Sequence, residues 1–240
     1  MTITEPEVGA FIVVLTRAGA LAATAPVIGD PGVPVRAKLI FVLAITFAIG
    51  SNRAPVPLSE LPATAVLELA IGLVTGMSAR FVLSRMAIAG QLMGLSLGLG
   101  FASQFDVHAG ESAGVMRSLV TAVSSLAFLE VGGLEAIVRS VAAGPVHAGD
   151  LMALGPEVLR HATSAFGHGL TLAAPIMLAA LVGNIGLAVM NRAAPAINMF
   201  SIALGAVLLI GGLIMIATAT GLTGHALETA RLAVTQLLGG

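Results

Sequence analysis

Gly110-Glu111-Ser112-Ala113-Gly114 has the G-x-S-x-G spacing with which serine hydrolases present a nucleophile, and Asp106 and His108 stand just upstream. A strained turn of this kind lifts the serine hydroxyl to a neighbouring imidazole, which removes its proton, while a carboxylate orients the imidazole. The chemistry requires a strand before the serine, a helix after it and a parallel sheet around both. Here a glycine-rich apolar stretch and a short polar one precede Gly110, and no strand-helix-strand alternation occurs anywhere. His147, His161 and His168 could complete a triad in principle, but nothing places them. His161 and His168 are seven residues apart and share a helical face, yet two imidazoles without a third ligand make a weak metal site. Gly98-Leu99-Gly100 lacks the third glycine and the strand of a dinucleotide turn. The expectation is therefore no enzyme, no metal and no cofactor, with the serine motif a chance product of a Gly-, Ser- and Ala-rich chain.

Glu68, Gly72, Gly76 and Arg80 form a second pattern, spaced by four and so aligned along one helical stripe. A carboxylate and a guanidinium inside an apolar helix are costly unless paired or wet. Two readings stand: an ion pair with a neighbouring subunit, or a proton or substrate path. Gly90, Gly94 and Gly98 recur at the same spacing, with Ala102 continuing the series. Small residues so spaced let helix backbones approach closely, and a pore-lining face is the other reading.

The elements that must carry these residues follow from composition. Of 240 residues, 57% are hydrophobic, 29 more are Gly, and 10% are charged, against about 25% charged in soluble domains. The mean hydropathy is +1.02. A soluble chain so composed could not cover its surface with polar groups. The net charge of −1 gives no basic face for nucleic acid. There is no Cys, which excludes disulfides and thiolate metal sites, and no Trp or Tyr, so either the usual interfacial aromatic belts are missing or much of the surface faces protein instead of lipid. Glu5, Glu7 and Arg17 argue against a cleaved signal. Apolar runs at about 8–28, 37–51, 61–83, 86–105, 118–143, 162–190 and 196–221 predict helices. Only some are long enough to span alone; 37–51, with 14 residues between Lys38 and Arg53, and 118–143, which carries Glu130, Glu135 and Arg139, both read as helices buried in a protein assembly or forming a hairpin. Pro26, Pro31, Pro34, Pro55, Pro57, Gly144-Pro145 and Gly155-Pro156 read as breaks between the runs.

Read end to end, the chain resembles the FliR family, called SctT in injectisomes. Arg17-Ala18-Gly19, Ala25-Pro26 and Val33-Pro34-Val35-Arg36 are similar to the family's R-x-x-G, aP and iP-x-x-vR elements. LELAIGLVTGMSARFV (67–82) resembles its E-l-x-I-G-x-x-x-G-x-x-x-R helix, and AGQLMGLSLGLGFASQFD (89–106) its A-G…F-A-x-x-f-D segment. Residues 166–200 resemble its late signature, with Pro175, Arg192, Pro195, Asn198 and Phe200 at matching positions. Val107, Leu134 and Ala196 depart from the pattern.

The resemblance implies an all-α polytopic membrane protein in one domain, 1–240. Residues 1–160 would form a FliP-like part and 161–240 a FliQ-like helical hairpin, with no fused soluble domain. It implies a subunit of the flagellar type III export gate in the bacterial inner membrane. That gate is a helical pore built with FliP- and FliQ-type subunits, joined by an FlhB-type subunit, within the basal-body ring. Unfolded substrates pass through it, while ATPase and proton motive force act elsewhere. The loop from Phe101 to Val115 would plug the pore, with Phe101, Phe105 and Met116 as apolar bulk, Asp106 keeping its far side wet and Gly110 giving it freedom. Glu68, Gly72, Gly76, Arg80, Gly90, Gly94 and Gly98, with Pro175, Arg192, Pro195, Asn198 and Phe200, would serve helix packing and assembly. An independent small-solute transporter is the alternative, its helix broken at Pro175; an intramembrane enzyme is a more distant one.

Overall fold

The computed structural model describes residues 5–98, 114–143, 148–193 and 199–238. Among these it is entirely helical: α1 (Glu5–Thr24), α2 (Val35–Gly50), α3 (Leu61–Ser96), α4 (Val115–Glu130), α5 (Gly133–Ala142), α6 (Ala148–Ala193) and α7 (Met199–Leu238). Glu5–Thr24, Leu61–Ser96 and Gly155–Met190 are long and apolar enough to cross a membrane, and α4 and α5 pass that test as a pair. The fold is thus that of a polytopic helical membrane protein.

The chain divides into two compact units. The first comprises residues 1–83, 128–163 and 230–240. Within it α1 packs on α2 and α5, and α2 on α5. Ala10, Val13, Val14, Ala18, Leu21 and Ala22 bury one side of α1 at helical spacing, and Glu5 and Glu7 complement the positive end of the helix dipole. Pro26 follows the end of α1 and the chain reverses tightly. Ile28 N donates to Pro26 O at 2.7 Å and Gly29 N to Ala25 O at 2.9 Å. Between them Val27 has φ of 66°, a conformation that a β-branched residue holds only under surrounding constraint. α2 starts directly after Pro34 and buries Val42, Ile45, Thr46 and Gly50; Gly50 lies under the Phe11 ring, where a Cβ would stand 2.7 Å from Cδ1.

The second unit comprises residues 84–127 and 164–229. Its core includes Met86, Ala89, Met93, Val120, Ala173, Ile176 and Ala180. Gly90 and Gly94 press on α4: a Cβ at Gly90 would stand 2.9 Å from Arg117 Cα, and one at Gly94 would stand 3.2 Å from Met116 Cβ. Gly169 is likewise closed in, 2.7 Å from Ile88 Cγ2 by the same construction.

Several boundaries differ from the sequence expectation. The runs 61–83 and 86–105 belong, as far as Ser96, to one helix of 36 residues, because Ser84 and Arg85 lower hydropathy without breaking helical hydrogen bonding. The run 118–143 is broken at Val131–Gly132, where Gly132 adopts φ of 82°, open to glycine without strain. Gly155-Pro156 was expected to interrupt the chain, yet α6 continues through both; one missing backbone donor is tolerated in a long apolar helix. α7 extends to Leu238, well past the apolar run ending near 221. Ala226, Ala230, Ala233 and Leu237 are buried there, at a 3.6-residue period that an apolar-run criterion passes over.

Candidate functional site: a buried charge cluster

α3 carries Glu68 one turn before the close-packing glycines of its stripe. Its carboxylate is 2% exposed and meets two guanidinium groups from the same chain. Arg17 Nε of α1 lies 3.3 Å from Oε2, and Arg53 Nη2, just beyond α2, lies 3.1 Å from Oε1. The arginine side chains are 6% and 8% exposed. Both also turn a nitrogen toward the C-terminal end of α5: Arg17 Nη1 donates to Ala143 O at 3.1 Å, and Arg53 Nη1 donates to the same oxygen. The carbonyl end of a helix carries roughly half a negative charge, and its last carbonyls lack helical partners, so α5 adds to the negative environment that Glu68 gives the two guanidinium groups.

The rest of the stripe follows the same neighbour. A Cβ at Gly72 would stand 2.8 Å from Arg17 O and 2.7 Å from Ala20 Cβ, and one at Gly76 would stand 3.0 Å from Ala25 N and against Thr24 Oγ1. Arg80 Nη2 reaches Asp30 Oδ1 at 3.4 Å. Partner numbers rise together, 68 with 17, 72 with 20, 76 with 24, 80 with 30, so α1 and α3 run parallel, locked by charge at one end and by backbone contact along the middle. This overturns the expectation that Glu68 pairs with a neighbouring subunit. Its partners lie within the chain, since the turns after α1 and α2 return Arg17 and Arg53 to α3. The chemistry of the arrangement is that of a joint.

The other residues singled out in the sequence are not gathered here. Ser112, Phe101, Phe105, Asp106, His108 and Gly110 fall in 99–113, outside the described residues, as do Pro195 and Asn198. Gly98 has φ of 71° after the last turn of α3. Met116 is half-buried on α4, against Gly94. Pro175 is exposed within α6, Arg192 is exposed in its last turn, and Phe200 belongs to the first turn of α7. His161 Nε2 lies 3.8 Å from Glu157 Oε2, and His168 Nδ1 lies 2.8 Å from Ser164 O, each using its own helix. Among the described residues no three His, Asp or Glu side chains gather as metal ligands. Sequence reasoning missed Arg53 and the Ser78–Gln236 hydrogen bond of 3.1 Å. For Arg53 a signal existed, since isolated charges in so apolar a chain need partners.

Comparison with known proteins assigns the chain. The family described as bacterial export proteins, family 1, matches residues 8–232. This chain belongs to the FliR family. It is 32% identical to the flagellar biosynthetic protein FliR of Aquifex aeolicus over 203 residues, covering 80% of this chain and 78% of that protein. It is 30% identical to the FliR of Escherichia coli over 209 residues, covering 82% and 79%. With the FliR of Pectobacterium carotovorum the identity is 29% over 216 residues. The family-like elements that carry charge supply Arg17 and Glu68 to the cluster and Glu68 to Arg80 to its stripe, while Arg53 lies outside them.

Proposed function

We propose that this chain is a subunit of a flagellar type III protein export gate. In this reading it assembles with FliP-, FliQ- and FlhB-type subunits in the bacterial inner membrane at the flagellar basal body, and unfolded flagellar substrates pass through the channel they form. It works by assembly, not catalysis. The observation that carries the reading is the surface of α6 and α7. Only 17% of the most apolar window of α6 is buried, and Leu178, Leu181, Val182, Ile185 and Met190 are exposed. On the same two helices Gly167, Gly183, Gly186, Gly205, Gly212 and Gly221 would meet no described atom within 4 Å if given a Cβ. A helical glycine costs about 1 kcal/mol relative to alanine, and glycines facing open space suit backbones arriving from other helices. Exposed Asn184 beside an open groove of about 330 Å³ lined by Ser96, Met177 and Leu181 supports a protein neighbour, since an amide facing hydrocarbon lacks partners. The transporter alternative expects a broken helix at Pro175, whereas α6 runs through that residue.

Expressed alone, the chain should be recovered in low yield and aggregated; co-expressed with FliP- and FliQ-type subunits it should elute with them as one complex. A monodisperse monomer that carries a small solute into liposomes would overturn the gate reading.

By its resemblance the segment from Phe101 to Val115 is the proposed plug, and residues 161–240 the FliQ-like hairpin. A narrow apolar constriction dewets and blocks ions while remaining openable. Deleting 102–114 should leave the complex assembled at normal yield and raise ion leakage in cells that overproduce it, with Phe105→Gly showing a smaller rise. Normal assembly without added leakage would return the segment to a simple connection.

A further inference from the structure

We propose that the outward face of α2 is a binding surface for anionic phospholipid, a role that does not depend on the gate assignment. Arg36, Ile40, Leu43 and Phe47 lie on one face of this helix, at spacings of four, three and four residues. Ile40 is 69% exposed, Leu43 47% and Phe47 70%, and Arg36 is exposed at the head of the row. The cationic end is reinforced. Lys38 Nζ donates to Asp30 O at 3.0 Å, and Arg80 pairs with the Asp30 carboxylate. Arg36, Lys38 and Arg80 against Asp30 leave a net charge of +2 in a chain whose total is −1.

The helix is also too short to cross a bilayer. Its 16 residues measure about 24 Å against a hydrocarbon core of about 30 Å, and exposed Ser51 and Asn52 end its apolar stretch. From Leu39 to Ile49 that stretch reaches about 16 Å, the depth of one leaflet. A phosphate held by Arg36 would place an acyl chain along Ile40, Leu43 and Phe47, as arginines near helix ends do when they reach for the interface. The exposed face of α6 makes the contrast. There glycines and an amide interrupt the apolar row, as helix neighbours require. Between Ile40 and Phe47 the outward face of α2 has neither.

The chain has no Cys, so Leu43→Cys can carry a single nitroxide in the full chain, purified with its accompanying subunits in lipid nanodiscs. Molecular oxygen should relax the label strongly and a water-soluble nickel chelate weakly. A label shielded from both is covered by protein, and one open to nickel faces water; either result overturns the proposal. Native mass spectrometry of the same complex should show phosphatidylglycerol retained over phosphatidylcholine. Arg36→Gln should lower that preference roughly fivefold, the effect of one surface charge, while Arg36→Lys keeps it. Equal retention by wild type and Arg36→Gln would overturn the headgroup assignment.

Discussion

Glu68→Ala is expected to remove most of the folded protein from the membrane. The substitution takes from Arg17 and Arg53 the buried carboxylate that both of them contact. Breaking a buried ion pair by deleting one partner typically costs about 3–5 kcal/mol, a large part of the roughly 5–15 kcal/mol that stabilises a domain. The effect should come from the stranded charges more than from lost volume. Glu68→Gln, which preserves size and removes charge, should therefore be nearly as damaging. Replacing all three residues, Arg17→Met, Arg53→Met and Glu68→Leu, should recover part of the loss, because apolar groups of similar volume often substitute for a buried ionic set. Steady-state level of the full-length chain and yield of the co-purified complex measure this. Wild-type levels of Glu68→Ala would show that the cluster holds nothing together.

Gly76→Leu should produce the second largest effect, and Gly72→Leu a similar one. Side chains at these positions meet backbone: Ala25 N at 3.0 Å in one case and Arg17 O at 2.8 Å in the other. Backbone of a neighbouring helix cannot swing aside as a flexible side chain can. Overpacking of this kind typically costs about 1–3 kcal/mol, and here it also prises α3 from α1 beside the ion cluster, so coupling between the two is expected. Gly183→Leu provides the contrast, since no described atom lies within 4 Å of a Cβ there. It should leave the level of the chain unchanged and lower the yield of the complex. Thermal unfolding in detergent separates the two: a lower midpoint for Gly76→Leu and an unchanged one for Gly183→Leu. Equal midpoints for all three variants would remove the distinction between inward and outward glycines.

The sequence by itself determined the class of this protein and the places where it tolerates no side chain. Its hydropathy and scarcity of charge require a membrane or a protein shell around nearly every helix, and the spacing of Gly72, Gly76, Gly90 and Gly94 marks faces that must approach another backbone. Those properties are local, depending on residue type and a helical period that any apolar chain obeys. The motif order from Arg17 to Phe200 was also legible, and with it the family. Tertiary structure alone decided which face meets which. Glu68 needs a cation, but nothing in the period of α3 says whether that cation comes from another subunit or from Arg17 and Arg53, 51 and 15 residues away along the chain. The answer depends on the turn at Pro26–Gly29 and on the path after α2, because loop closure, not helical spacing, sets long-range pairing. The same holds for the far end of α7. Its residues Ala226 to Leu237 are too polar as a run to suggest a membrane helix, and they show their buried face only when their period is set against the core they pack on.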